Sequence, residues 1–484
     1  MGTDLLKNSV VYTIIGFLPL SFAFIFTPIY FKYMNEGEYG MLSLFVLYSG
    51  VIAKIYDLGI SQAFIYLYWD VYKEKEKLKT LMSNTLGLLI ILQLVLLTLG
   101  FLFGEKFLTL IVKSNEAFTF SPYFILTLVF ALFMVYFELI QQFFRNEGNL
   151  RSYSILGIGT LIFLTIGTLT GVVFLDLKAL GAILGRSVGY GVVVTVFLFI
   201  LIRKFGVSLN LERSKTLLKF GFPLFINAIL GAVAYGIDKI LIERLDSLET
   251  LGIYSLAVVI VSIIEIWFNS INNALTPTLY KIINESLNNK VNEIQGLSHF
   301  IILSVVLVVV AVIALTIPVL HLFIPSNFHN AAVFVPILAS SFIWRVLTTL
   351  ESLALYREKK TKFFLFNQSS LLFFTLIFGF IGYTIYGIIG IAYGVYVSKV
   401  IEYLVMKMIV RKVKVIPFRI RPFLILALCI GASTFVCSSN AFQMNSQSTA
   451  YLLPLIVFIL YSALFLKSQL NNIAFVIKNR KILF

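Results

Sequence analysis

The chain has 484 residues, of which 59% are hydrophobic and 13% charged, with a formal net charge of +15 and a mean hydropathy of +0.96. Soluble domains carry roughly 25% charged residues, so water is the wrong solvent for most of this chain. Cys429 and Cys437 share one apolar stretch and cannot build a disulfide framework, and His299, His321 and His329 lack metal-ligand spacing.

Apolar stretches long enough to cross a bilayer as helices recur from end to end. Fourteen spans are expected, near 8–31, 40–67, 80–103, 120–144, 152–175, 180–202, 218–242, 251–280, 297–322, 331–356, 363–383, 387–409, 422–438 and 450–467. The apolar run after Lys7 is too long for a signal-peptide core and lacks a small-residue cleavage site, so it reads as the first span. Pro19 and Pro28 interrupt it and favour a kink. The aromatic groups Tyr30, Phe31, Tyr33 and Tyr66, Tyr68, Trp69 read as interface anchors. Every connection is too short to house a catalytic domain.

Basic residues divide unequally between the two sets of loops. One set holds clusters such as Lys73, Lys75, Lys77, Lys79 and Arg357, Lys359, Lys360, Lys362, together with Lys7, Lys290, Lys414, Arg419 and a basic tail. The opposite loops hold Lys32, Lys106, Lys113, Lys178 and Arg244. The first side is therefore expected to be cytoplasmic, with both termini on it. The net charge is this topology signal, and no nucleic-acid partner is needed to explain it.

The sequence repeats at an offset of 212 residues. Leu5-Leu6-Lys7 recurs as Leu217-Leu218-Lys219, Gly40-x-x-Ser43-Leu44 as Gly252-x-x-Ser255-Leu256, and Phe144-Arg145 is echoed by Tyr356-Arg357. Gly181-x-x-x-Gly185 matches Gly390-x-x-x-Gly394 at a slightly shorter offset. The expected plan is all-α: an N-lobe at 1–204, a C-lobe at 205–416, and two extra spans with a tail at 417–484. Six spans per lobe is an even number, so the lobes would be related by a pseudo-two-fold axis along the membrane normal, with a site at their interface.

No Gly-Lys-Ser/Thr phosphate loop and no His-Glu-x-x-His occur, so a Walker ATPase and a zincin are excluded, and no cofactor or metal is expected. The informative residues are charges inside spans, each costing roughly 2.5–3.5 kcal/mol at a helix centre. Lys54 lies 14 residues past Gly40, about 21 Å along a helix. Glu265, Arg345 and Lys399 lie at similar depth in helices of the same direction. Asp57 follows Lys54, and Glu402 follows Lys399, by three residues, so each pair shares a helix face and can partly neutralise itself. Arg345 has no acid at that spacing. These groups could be structural ion pairs between helices. The preferred reading is a hydrated cavity with a cationic floor of Lys54, Arg345 and Lys399, suited to a phosphate-bearing ligand, with Asp57, Glu265 and Glu402 as candidates for ion coupling or pairing. Arg186, Asp238 and Lys239 lie nearer the outer ends, and Glu138 and Glu351 are expected to pair with Arg145 and Arg357.

The chain resembles the polysaccharide flippases of the Wzx type, within the multidrug/oligosaccharidyl-lipid/polysaccharide exporter superfamily. The likeness covers the six-plus-six-plus-two layout. Locally it rests on Glu38-Tyr39-Gly40, on Asp57-Leu58-Gly59-Ile60-Ser61-Gln62-Ala63, and on Gln141-x-x-x-Arg145. The resemblance implies a non-enzymatic carrier of the bacterial inner membrane. Its cargo would be an undecaprenyl-pyrophosphate-linked oligosaccharide moved from cytoplasmic to periplasmic leaflet by alternating access, for O-antigen, capsule or exopolysaccharide synthesis. The polysaccharide polymerase is a candidate partner, and the spans at 422–438 and 450–467 could form a groove for the lipid tail. The rivals are a lipid II flippase, a cation-coupled multidrug exporter, and a membrane-embedded polymerase or ligase. The span at 8–31 contains no acid, against a proton-coupled exporter, and the outer loops are short, against a polymerase.

Overall fold

The structure, a computed structural model, describes residues 26–465 apart from 115–116, 287–290, 359, 361, 413–415, 417, 419 and 443–450. Leu5-Leu6-Lys7, Pro19 and most of the expected first span lie outside the described residues, as do Lys290, Lys359, Lys414, Arg419 and the basic tail. All regular structure among the described residues is helical, and 12 of these helical segments are long and apolar enough to cross a membrane. The chain divides into two compact units, Met1–Gly252 and Ile253–Phe484.

In the first unit, α1 (Glu36–Asp57) opens with a capping box. The Asn35 side chain accepts the Glu38 N–H at 2.8 Å and Glu38 accepts the Asn35 N–H at 2.9 Å, which satisfies two donors that the first turn leaves open. Glu38 also pairs with Lys178 at 3.1 Å. Gly40 then lets α1 meet the turn at Leu248 backbone to backbone, and a Cβ there would collide with the Leu248 carbonyl. Glu38-Tyr39-Gly40 is thus a helix start and a close crossing.

The sequence suggested one span at 40–67. Two helices are found, α1 and α2 (Ile60–Val71), because Leu58 and Gly59 adopt φ of 45° and 74°. The left-handed region suits Gly59 and ends the helical ladder. The expected span at 218–242 is likewise divided, into α7 (Leu211–Ala234) and α8 (Ile237–Leu245). Between them run α3 (Lys75–Ile111), α4 (Ile125–Glu147), α5 (Leu150–Leu169) and α6 (Lys178–Phe205). α1 and α4 carry the buried surface, whereas α3 is mostly exposed, with Leu94, Leu102 and Leu110 on its surface. In lipid such exposure is the expected state of an apolar helix.

The second unit receives α9 (Leu248–Ser286), followed by α10 (Val291–Phe323), α11 (Ala331–Arg357), α12 (Lys362–Tyr386), α13 (Ile388–Arg411), α14 (Arg421–Phe442) and α15 (Leu453–Phe465). α11 is its core, buried along most of its length against α10, α13 and α14 among others. α15 is the described part of the expected last span.

The glycine repeat does the same work in both units. Gly181 and Gly185 of α6 lie against Gly171 and Gly167, and Gly390 and Gly394 of α13 lie against Gly382 and Gly379 of α12. Small residues let membrane helices approach to backbone contact, where dispersion and weak hydrogen bonds replace the missing hydrophobic drive. The aromatic anchors divide. Tyr66 and Trp69 are exposed, as a membrane-interface belt requires. Tyr30, Phe31 and Tyr68 are instead buried, the first two packed on Tyr39 and the third on Phe64 and Phe143.

Candidate functional site

The first unit holds Lys54 and Asp57. Lys54 lies in the last turn of α1, and its Nζ donates to Glu138 Oε2 of α4 at 2.9 Å. Gln142 Nε2 steadies the other Glu138 oxygen at 3.2 Å. Glu138 therefore pairs across helices with Lys54 and not, as expected, with Arg145 of its own helix. Asp57 does not serve as the partner of Lys54 either. Its Oδ1 accepts the Ser61 N–H at 3.0 Å and the Ser61 hydroxyl, so it caps the start of α2 directly after the break. A helix start leaves four N–H groups without intrahelical acceptors, and a carboxylate here answers one of them. Asp57-Leu58-Gly59-Ile60-Ser61 is consequently a break-and-recap device.

The second unit holds Glu265, Arg345, Lys399 and Glu402. Arg345 Nη1 of α11 donates to Glu265 Oε1 of α9 at 2.9 Å, and the guanidinium carbon lies 5.5 Å from the Phe342 ring centre. The acid that Arg345 lacks along its own helix is thus supplied by a neighbour 80 residues away in sequence. Lys399 pairs with Glu402 at 3.2 Å on the same face of α13, as the three-residue spacing predicts. Asn367 Nδ2 of α12 donates to the other Glu402 oxygen at 3.2 Å. Glu351 is buried in α11 and forms no ion pair with Arg357 among the described residues, so the expected pairing is not found.

Each of the three cations therefore has a carboxylate, which changes the electrostatics from a cationic floor to ion pairs. The pairs differ in access. The Lys54 and Glu138 side chains are 30% and 38% exposed, those of Arg345 and Glu265 22% and 31%, and those of Lys399 and Glu402 14% and 9%. A charge in hydrocarbon costs several kcal/mol, so a carboxylate partner lowers the cost of holding each cation inside a span. Near the start of α6 Arg186 lies over the Tyr30 ring, with Nη2 3.4 Å from the Tyr30 hydroxyl.

Sequence reasoning missed a cleft of about 430 Å³ beside the Lys399–Glu402 pair. Uncharged polar side chains line it: Asn272 and Thr276 of α9, Thr349 and Ser352 of α11, and Asn367 and Gln368 of α12. Its signal was present in the sequence as polar residues at helical spacing inside apolar spans, but a search for charges passes over amides and hydroxyls.

Comparison with known proteins places the chain in a family. A family profile described as "Polysaccharide biosynthesis protein" matches residues 5–283, more than half of the chain. No curated protein matches the chain. Among solved structures, the lipid II flippase MurJ in an inward closed conformation superposes with a TM-score of 0.69 at 16% identity, over 96% of this chain and 100% of that one. An inward-facing multidrug resistance MATE family transporter of the MOP superfamily gives 0.68 at 16% identity, over 81% and 95%. A Vibrio cholerae MATE transporter, VcmN, gives 0.58 at 16% identity, over 85% and 96%. These likenesses establish the fold, and the proteins that share it are transporters and flippases, not enzymes. The chain belongs to the polysaccharide biosynthesis protein family and is a multi-pass membrane protein with the fold of the MOP superfamily.

Proposed function

We propose that the protein flips an undecaprenyl-pyrophosphate-linked oligosaccharide from the cytoplasmic to the periplasmic leaflet of a bacterial inner membrane, by alternating access and without hydrolysing ATP. The observation that carries this reading is the family match over residues 5–283 in a chain whose superposition on a lipid II flippase spans 96% of its length. The superpositions on multidrug transporters span 81% and 85%, which favours a lipid-linked cargo over a soluble drug. Both termini face the cytoplasm in this reading, the lobes at 1–204 and 205–416 rock against one another, and residues 417–484 accommodate the lipid tail.

Lys54, Arg345 and Lys399 act as exchangeable pairs in this proposal. A pyrophosphate entering a hydrated cavity competes with Glu138, Glu265 and Glu402 for their cations. Arg345 is the strongest candidate, since its fork can hold Glu265 and a phosphate oxygen at once. Asp57, Glu265 and Glu402 are the candidate sites of ion coupling. The test is complementation of strains that lack a flippase, each with a defined repeat unit, scored by surface polysaccharide. Restored export by this chain supports the reading. Drug resistance without export supports the multidrug rival.

A further inference from the structure

We infer that the cleft between α9, α11, α12 and α13 is a binding site for a neutral hexopyranose unit of the cargo. The inference rests on the flippase reading above and gives the sugar part of the cargo a place of its own, beside the Lys399–Glu402 pair.

The hydrogen-bonding state of the lining carries the argument. Thr348, Thr349 and Ser352 donate their hydroxyl protons to the Trp344, Arg345 and Thr349 carbonyls of their own helix, at 3.0, 2.9 and 2.7 Å. Their oxygens are left as acceptors along one stripe of α11. Asn367 is 4% exposed; its Nδ2 is committed to Glu402, and its Oδ1 is buried with no partner. A buried amide oxygen left without a donor costs about 1–3 kcal/mol, so its position beside a cleft points to a ligand that brings one. Asn272 Oδ1 takes the Thr276 hydroxyl at 2.8 Å, which leaves the Asn272 amide hydrogens as donors. Gln368 supplies both a donor and an acceptor. A ligand that offers several O–H groups, each donor and acceptor, satisfies this set.

Charge narrows the class. Glu402 is the one carboxylate in the lining, and Lys399 and Asn367 already answer both of its oxygens. While that pair stays closed the lining is balanced in charge, and every other polar group in it is neutral. Its other feature is an aromatic pair, Tyr356 and Phe364, with ring centres 4.6 Å apart. Aromatic faces pack against the C–H faces of pyranose rings, and the polar edges of the sugar then meet amides and hydroxyls. The volume of about 430 Å³ lies within the roughly 300–1,000 Å³ common for small-molecule sites. The cleft also lies toward the basic ends of its helices, near Arg357, Lys362 and Arg411. Those ends face the cytoplasm in the proposed topology, so the site would meet cargo on the loading side.

The test is saturation-transfer NMR on the purified full chain in nanodiscs, with D-glucose, D-galactose, D-mannose and N-acetyl-D-glucosamine presented singly. At least one should show transfer, weakened about tenfold in apparent affinity, equivalent to about 1.4 kcal/mol, by Gln368→Leu. Gln368 makes no hydrogen bond that holds the fold, so this variant should reach the membrane at normal abundance; Tyr356→Ala provides a second, independent probe of the aromatic face. Replacing sodium by choline should leave the transfer unchanged. Absence of transfer from all four sugars, transfer indifferent to both variants, or transfer that requires sodium would overturn the assignment. Export in the complementation assay without sugar binding would sink this site and leave the flippase reading standing. Sugar binding without export would do the reverse.

Discussion

Two stretches related by the 212-residue repeat behave differently, and the difference is local chemistry. In the first unit the chain breaks at Leu58–Gly59 and restarts as α2 under an Asp57 cap. At the matching position of the second unit α9 runs unbroken through Asn269, Ser270 and Ile271. Ile271 stands where Gly59 does, and a β-branched residue resists the left-handed conformation that the break needs. The charges follow a related rule. The second and fourth spans of the repeat are tied by Lys54–Glu138 in one unit and by Glu265–Arg345 in the other, both at 2.9 Å, with the basic and acidic partners exchanged between helices. What the repeat retains is the tie between those helices. The identity of the residues that make it is free to change.

Gly59 should be the most sensitive position in this comparison. A Cβ there would strike the Gly221 carbonyl, and the backbone is left-handed. Gly59→Val should lower stability by about 2 kcal/mol or more and remove most protein from the membrane fraction, measured by thermal melting and immunoblot. Ile271→Gly in the continuous helix should cost only about 1 kcal/mol. Equal effects at the two sites would break the comparison.

Next come the ties themselves. Arg345→Ala leaves Glu265 without its cation and should reduce export more strongly than Lys54→Ala, whose pair is more exposed. Removing one partner of a buried pair costs about 3–5 kcal/mol, and partial exposure places these below that range. Arg345→Lys should recover part of the export. Adding Glu265→Gln to Arg345→Ala should restore abundance but not export, since a neutral pair folds and still lacks the guanidinium. Export at wild-type level in the double variant would remove Arg345 from the proposed cavity.

Exchange of the tie is a finer test. Lys54→Glu combined with Glu138→Lys should fold, with a coupling of about 1 kcal/mol recovered relative to the single variants in a double-mutant cycle of melting temperatures. No coupling would mean that the pair contributes little and that packing alone holds α1 to α4.

The smallest effect belongs to Asp57. Asp57→Asn keeps an oxygen that can accept the Ser61 N–H, so stability should stay near wild type, whereas Asp57→Ala should cost about 1 kcal/mol. The same Asn variant separates capping from ion coupling. Unchanged export under an imposed proton or sodium gradient would leave Asp57 as a cap alone.

Much of this fold was legible because the bilayer makes hydrophobicity a measure of length. The spans from 80–103 to 422–438 correspond to observed helices whose termini differ by several residues, except 218–242, which is divided into α7 and α8. Gly181-x-x-x-Gly185 and its echo marked two helix crossings, because close backbone approach permits little besides glycine. Lys399–Glu402 was readable because both partners share one helix. Lys54–Glu138 and Arg345–Glu265 were hidden because their partners lie 84 and 80 residues apart, where spacing carries no information about contact. The helix break at 57–59 carried a visible sign, Asp-x-Gly, that a hydropathy count averages away. The cleft was missed for a further reason: its chemistry depends on which hydroxyl protons are already spent on backbone carbonyls, and that is a property of three dimensions.

The most direct measurement is transbilayer movement of a fluorescent undecaprenyl-pyrophosphate-linked oligosaccharide in proteoliposomes made with the purified chain. The account predicts movement without nucleotide at least about tenfold above protein-free vesicles, a gain of about 1.4 kcal/mol in barrier lowering, and a marked loss with Arg345→Ala at equal protein content. Movement at the protein-free rate, or movement that requires ATP hydrolysed by the chain itself, would contradict it.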